Sequence, residues 1–480
     1  MAPSASRRIR DAKSLGIVLF QNTSADRSDE YLGRALTEQI TERLRATGAV
    51  RVVATRKFGY EQAVAPDGAT TIGRSLGVGH VLVARVGRAE GGGVRVEARV
   101  VRTRDGTVEW RTGATALPRD LPALEAELTS GIVHASTGRE ISDARLAGWS
   151  DPPNGQTVEH YLRGNFYSSL NTTEGYELAL SQYDSATALD PAFAAGFARS
   201  ALTIASILEW GWWNYSPEFI GGMTHQGLVA SGRALRLDST SVDAWVARGA
   251  LLGFRNPKSY AGARAAFRRA LVIDPRNPRA HQWYGRALMQ LGERGAARRE
   301  FASALALAPR DGGVLYDLAQ LDRHEGRFSS SCILLDSAIA SDPTAAQAYI
   351  LRALIRVRRG ELRFAWADAE TGTRLGWPLW GKAVSAVIDA EARDTSSALA
   401  RTKALIKSAP SWGSGAKQWT GEYLAIALAA SGDVDSALDL LEHVQPRGAR
   451  LWFALTAPEF APLRRNSRFR ALLVTSRPGH

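Results

Sequence analysis

In the stretch Ala280-His281-Gln282-Trp283-Tyr284 an imidazole, an amide, an indole and a phenol follow one another directly. A histidine beside two rings could act as a general acid or base at the rim of an active site, provided that a carboxylate orients it and a nucleophile lies within reach. A second concentration, Glu209-Trp210-Gly211-Trp212-Trp213-Asn214-Tyr215, offers large amphipathic rings of the kind that anchor ligands and protein partners. Catalysis needs further groups, and they are scarce. There is no His-Glu-x-x-His and no phosphate-loop pattern completed by Lys-Ser or Lys-Thr. Gly77-Val-Gly79-His80 carries two glycines but Leu82 where a dinucleotide fingerprint has its third, and it precedes a strand instead of following one. Glu90-Gly-Gly-Gly-Val94 joins two alternating segments and reads as a hairpin loop. The eight histidines stand apart from one another, and Cys332 is the single cysteine. The expectation is therefore no catalytic residue, no metal, no cofactor and no intrachain disulfide. Asn171-Thr-Thr173 is a glycosylation sequon only in a secretory setting.

A chain of 480 residues exceeds one hydrophobic core, and 45% hydrophobic with 22% charged residues is the composition of an ordinary folded protein. The net charge of +12 is carried mostly by arginine, spread along the chain and interleaved with acids, as in Gly292-Glu-Arg-Gly-Ala-Ala-Arg-Arg-Glu-Phe301. That spacing describes a solvated surface and argues against a nucleic-acid module. The basic start followed by Leu15–Phe20 is too short for a signal h-region, and no apolar segment is long enough to cross a bilayer. A cytoplasmic chain is expected, or an extracytoplasmic one if a membrane segment precedes Met1.

Two periods divide the sequence. After a flexible start (1–13), residues 14–140 mix strands and helices. Leu15–Phe20 reads as a buried strand, and a helix from Asp29 carries Leu32, Leu36, Ile40 and Leu44 on one face and stops at Gly48. Strands follow at 50–55 and 80–86 around a short helix ending at Gly77. Val94, Val96, Ala98 and Val100 then alternate with Arg95, Glu97 and Arg99, Asp105-Gly106 supplies a turn, and a helix from Leu121 closes the unit. The result is a small α/β domain with a mixed sheet. Residues 141–155 form a linker.

In its order of elements, and in Ser14-Leu-Gly-Ile-Val-Leu-Phe20, Leu36-Thr-Glu38 and Ile72-Gly-Arg-Ser-Leu-Gly77, this unit resembles the TolB-N-like α/β domain of bacteria. Leu19 stands before Phe20 where that family has proline, and Arg34-Ala35 where it has Asp-Gly. The resemblance implies bacterial signalling: the domain accompanies Ser/Thr kinases, adenylyl cyclases and winged-helix regulators, and here the effector would be a separate chain.

Beyond the linker the strand alternation gives way to helix pairs. Pro275, Pro309 and Pro343 recur 34 residues apart. Between two of them Trp283, Tyr284-Gly285 and Leu288 mark one helix, Gly292 a turn, and Ala297, Phe301 and Ala304 a second helix. Small residues allow close approach, large ones fill the gap, and proline ends the pair. This spacing resembles the tetratricopeptide repeat, with weaker copies at Ala179/Tyr183/Ala186, Ala263/Phe267/Ala270, Ser331/Ala338, Ala365 and Ala437. The expected fold is thus the α/β domain followed by an all-α superhelical solenoid over 156–446, with a Trp-rich insertion near 209–219 and a C-terminal capping segment at 447–480. On that reading Trp283 and Tyr284 are interior packing, and His281 is a helix-end residue.

Stacked pairs present a concave groove lined by their first helices. Counting round those helices from the packed residues places Gln282, Arg286 and Gln290 on it in one repeat, and Tyr316, Gln320 and Arg323 in the next. Arginine forks and glutamine amides suit an acidic peptide or protein. The leading expectation is a non-enzymatic scaffold. The alternative is a sensor of a small ligand or of pH, whose pocket is formed by Trp210, Trp212, Trp213 and Tyr215 with the interdomain cleft.

Overall fold

The computed structural model describes residues 13–55, 58–141, 153–211, 217–255, 259–408, 414–443 and 449–477. Its first part is built on a sheet. β1 (Ser14–Val18) is buried along its length, as a strand covered on both faces must be. β2 (Gln21–Asn22) follows, then α1 (Tyr31–Thr47), which buries Leu32, Leu36, Ile40 and Leu44 and ends at Gly48 with φ 63°. Next come β3 (Arg51–Thr55), α2 (Tyr60–Val64), α3 (Gly68–Leu76), β4 (His80–Arg88), β5 (Val94–Arg102), β6 (Val108–Ala116) and α4 (Leu121–Thr137). The sheet order is β3-β1-β4-β5-β6, with β2 against β4. β1 is parallel to β3 and β4, whereas β4, β5 and β6 form an antiparallel meander. Gly106 makes its last turn at φ 76°. Helices α1 and α4 cover one face, over Leu15, Leu82, Val96 and Val100. On the other face α2 and α3 cover only Val18, Val53, Val81, Val83 and Val101, and the outer strands stay open. The short α2 and β2 carry no periodic signal and were not expected.

The second part consists of helix hairpins: α5 (Gly155–Ser168) with α6 (Thr173–Leu189), α7 (Ala194–Ser206) with α8 (Pro217–Leu237), α9 (Val242–Arg255) with α10 (Tyr260–Ile273), and α11 (Pro278–Gln290) with α12 (Arg294–Leu307). They continue with α13 (Gly312–His324) and α14 (Phe328–Ser341), α15 (Ala346–Arg358) and α16 (Leu362–Arg374), α17 (Pro378–Glu391) and α18 (Thr395–Ser408), and α19 (Ser414–Ala430) and α20 (Val434–Glu442). Their intra-hairpin turns reuse one device. Gly292, Gly326 and Gly360 lie 34 residues apart with φ of 78°, 74° and 75°, a conformation that a β-carbon disfavours. Helix approach is fixed in the same way: a β-carbon on Gly285 would stand 2.6 Å from the Phe301 ring, closer than packed carbons come.

The two parts share a core. Val158 and Leu162 of α5 belong to the same buried cluster as Leu32, Leu36 and Leu128. Polar ties reinforce this seam: Arg279 of α11 joins Glu42 of α1 to Asp243 of α9, and Arg310 donates to the Ser75 carbonyl at 3.2 Å. The tail, α21 (Ala449–Leu455), a 3-10 segment (Pro458–Arg465) and α22 (Ser467–Ser476), closes the far end through buried Phe460 and Phe469. It also reaches back along the inside of the array. The Trp452 ring lies over Gly292, and Phe453 stacks on His324 with centroids 3.8 Å apart.

Candidate functional site

The inner face of the array holds a partly open pocket of ≈ 780 Å³, mouth included. First helices of successive hairpins supply its wall at helical spacing: Arg286, Met289 and Gln290 from α11, Tyr316, Asp317 and Gln320 from α13, and Gln347 and Ile350 from α15. Trp377 and Trp380 at the start of α17, Tyr423 of α19 and Phe453 of the returning tail complete it, together with Glu209. Asn277 caps α11 and Asp311 caps α13, each accepting hydrogen bonds from backbone amides of the first turn, and so fix where these helices begin. The Trp377 and Trp380 rings are tilted together, centroids 4.7 Å apart.

The charges of this face are largely spent within the chain. Asp317 accepts from Arg286 Nε at 2.8 Å and Gln282 Nε2 at 2.7 Å. Burial raises its pKa, with Arg286 opposing. Arg323 makes a forked pair with Glu459 of the tail, Nε to Oε1 at 2.9 Å and Nη2 to Oε2 at 2.8 Å, and their side chains are 3% and 1% exposed. Glu422 stands near this pair, and burial pushes its carboxyl up to about 7 against the pull of Arg323. His324 is held well below its ordinary value by burial and by Arg323 and Arg294. Apart from Glu209, what faces the pocket is aromatic and aliphatic surface interrupted by the amides of Gln290, Gln320 and Gln347.

Four of the six groove residues expected from the sequence, Arg286, Gln290, Tyr316 and Gln320, therefore meet on one pocket wall. Gln282 lies behind it on Asp317, and Arg323 is enclosed by the tail. Residues Trp212, Trp213 and Tyr215 lie outside the described residues. Trp210 falls in a π-helical turn, Ile207–Gly211, whose Glu209 lines the pocket, so the Trp-rich stretch starts at the groove. Trp283 and Tyr284 are buried packing, as their spacing implies. His281 hydrogen-bonds Glu300 at 2.7 Å and the Pro275 carbonyl at 3.1 Å; burial alone would lower its pKa, but these bonds outweigh it and hold it above the usual value. Sequence reasoning missed Trp377, Trp380, Tyr423 and Phe453. The tryptophans repeat at i and i+3 next to Pro378, a usable signal. Nothing local announces that Phe453 returns to hairpins more than a hundred residues earlier.

Two further spacings are placed by the fold. Gly73-Arg-Ser75-Leu-Gly77 has the Gly-x-Ser-x-Gly form but lies in and at the end of α3 instead of on a strand-to-helix elbow. Gly376 to Lys382 has the Gly-x4-Gly-Lys form, yet it joins two helices, and Gly381 sits inside α17 against Thr373. Among the described residues that line the pocket there is no serine, cysteine, lysine or histidine. Among the described residues no group of three His, Cys, Asp or Glu side chains is placed to hold a metal ion, and no helix is long and apolar enough to cross a membrane.

Residues 257–303, which span α10, α11 and most of α12, match the tetratricopeptide repeat family. No curated protein matches the chain. Solved structures similar to it include a thermophilic TPR protein of Thermus thermophilus, at 17% identity over 42% of this chain and 98% of that one, with a TM-score of 0.35. Yeast Tom70 is 17% identical over 66% of each chain with a TM-score of 0.40. Human IFIT1, solved as a dimer with m7Gppp-AAAA, is 13% identical over 67% of this chain and 76% of that one, with a TM-score of 0.44. The helical part is a run of helix hairpins behind a small mixed sheet, and residues 257–303 of it carry the tetratricopeptide match.

Proposed function

We propose that the chain is a non-enzymatic scaffold, and that its solenoid holds a protein partner by inserting an apolar or aromatic side chain of that partner into the inner pocket. The observation that carries this reading is the wall itself: five rings and three glutamine amides converge, while the arginines beside them are engaged by Asp317 and Glu459. Rings supply most of the affinity of such contacts and amides fix register along a peptide backbone. The TolB-N-like resemblance of the sheet domain supports a setting in bacterial signalling, with a kinase, cyclase or transcription regulator as a separate effector chain.

Selection of a random peptide library on the full-length protein tests the reading. The expected result is a set of peptides sharing a Trp, Phe or Leu anchor, which compete with one another and lose about tenfold in affinity or more in Gln320→Ala/Gln347→Ala. Those two side chains are partly exposed, so the variant keeps its fold. Failure to enrich any sequence, or enrichment indifferent to this variant, contradicts it.

The convergence of Glu209 on the pocket favours one second reading. Here the pocket takes a small ligand to whose binding Trp212 and Trp213 contribute, and Glu422, raised to about 7 beside Arg323, makes binding sensitive to pH. A saturable ligand found by thermal shift, whose effect is lost in Trp212→Ala/Trp213→Ala, would select it over the scaffold.

A further inference from the structure

The outer strands of the sheet carry a different arrangement of arginine. On the face turned away from α1 and α4, beyond the area covered by α2 and α3, Arg85 of β4, Arg95, Glu97 and Arg99 of β5, and Arg111 of β6 set four guanidinium groups against one carboxylate. Glu97 is already taken, by Arg85 at 2.6 Å and Arg95 at 3.0 Å. Arg99 and Arg111 stand directly opposite each other in the β5–β6 register. Among the described residues neither guanidinium has a hydrogen-bond or ion-pair partner. Like charges facing across strands destabilise a sheet, so this pair does nothing for the fold.

Next to the pair the surface dips. Gly113 faces Glu97, and a β-carbon there would meet only Glu97 Cγ at 3.8 Å. Two residues along β6 on either side, on the same face, lie Arg111 and Thr115, with Arg99 on the diagonal. The gap over Gly113 is therefore flanked by Arg99, Arg111 and Thr115, with Glu97 opposite and its carboxylate turned to Arg85 and Arg95; the two cationic forks and the hydroxyl left over are a donor set that matches a carboxylate. None of the residues that β5 and β6 present around it is aromatic. Sheet faces that bind single-stranded nucleic acid depend on stacking rings, so a protein carboxylate fits this face better than a base.

We propose that this open sheet face is a docking surface for an acidic, extended segment of a partner protein, with one carboxylate of the segment seated over Gly113 between Arg99, Arg111 and Thr115. It is separate from the inner pocket and does not depend on the function proposed for it.

Fluorescence anisotropy of a labelled peptide of alternating Glu and Thr, titrated with the full-length protein, tests this. Arg99→Gln/Arg111→Gln should weaken binding by about tenfold or more, from the loss of two charge-assisted contacts. Gly113→Val, which fills the recess and leaves every charge in place, should weaken it comparably. Arg465→Gln/Arg470→Gln removes the same charge from exposed positions of the tail and should change affinity less than about twofold. Thermal midpoints at or above that of the unaltered protein for Arg99→Gln/Arg111→Gln show that binding, and not folding, was lost. Absence of saturable peptide binding, or equal losses from the sheet and tail variants, overturns the proposal. So does oligothymidine of the same charge binding more tightly than the peptide through Arg99 and Arg111, which would make this a nucleic-acid surface.

Discussion

The inner wall of the solenoid and the open face of the sheet both carry arginine, and they use it in opposite ways. Arg286 and Arg323 are enclosed, each held by an acid from another element of the same chain. Arg99 and Arg111 lie on an outer sheet face opposite each other, with no acid of their own among the described residues. Enclosed guanidinium groups must be paired because water cannot solvate them; at a surface, water and salt make an unpaired one tolerable. Arginine content alone therefore says little about where an acidic partner binds. Whether the fold has already supplied the counter-charge decides it.

The comparison can be broken most forcefully at Glu459. Glu459→Ala removes the forked hydrogen-bond partner of buried Arg323, leaving only the carboxyl of Glu422 nearby, and should cost about 3–5 kcal/mol of stability by urea unfolding, whereas Arg323→Met/Glu459→Leu should cost much less. Equal losses in the two variants would mean that the pair is not the reason for the loss. A smaller effect is expected from pH. Burial raises the Glu422 carboxyl from 4.5 to about 7, with Arg323 opposing and Glu459 adding to the rise. The folded state thus keeps a proton that the unfolded chain releases, and this contribution to stability is complete below about pH 4.5 and lost as pH rises through about 7. Glu422→Gln should therefore gain on the unaltered protein between those values, by up to about 3 kcal/mol at pH 8. A constant difference between the two across that range would refute the assignment. Smallest is the sheet. Arg99→Thr/Arg111→Thr should leave stability unchanged or raise it by about 0.2–1 kcal/mol at low salt, with the gain shrinking as salt is added. A clear loss would show that these arginines serve the fold after all.

The sequence made some of this legible for identifiable reasons. Leu32, Leu36, Ile40 and Leu44 announce α1, and the 34-residue recurrence of Pro275, Pro309 and Pro343 announces the hairpins, because burial imposes a local period on both. Counting round one helix also placed Arg286, Gln290, Tyr316 and Gln320 on a common wall. It did not reveal that Asp317, one residue from Tyr316, would engage Arg286, since the pairing depends on how two hairpins stack. Nor did it reveal the Arg323–Glu459 fork, whose members are 136 residues apart. The opposed pair Arg99 and Arg111 needed a strand register, which alternation suggests but the irregularity between Val100 and Val101 shifts.

The central claim is that the inner pocket selects apolar anchors because its charges are already spent. The most direct test is the salt dependence of affinity for a peptide selected on the pocket, measured by calorimetry on the full-length protein at about 50 mM and about 500 mM salt. The account predicts a dissociation constant that changes less than about twofold. A loss of about tenfold or more, carried by acidic residues of the peptide, would show that Arg286 or Arg323 leaves its internal partner to bind the ligand, and would contradict it.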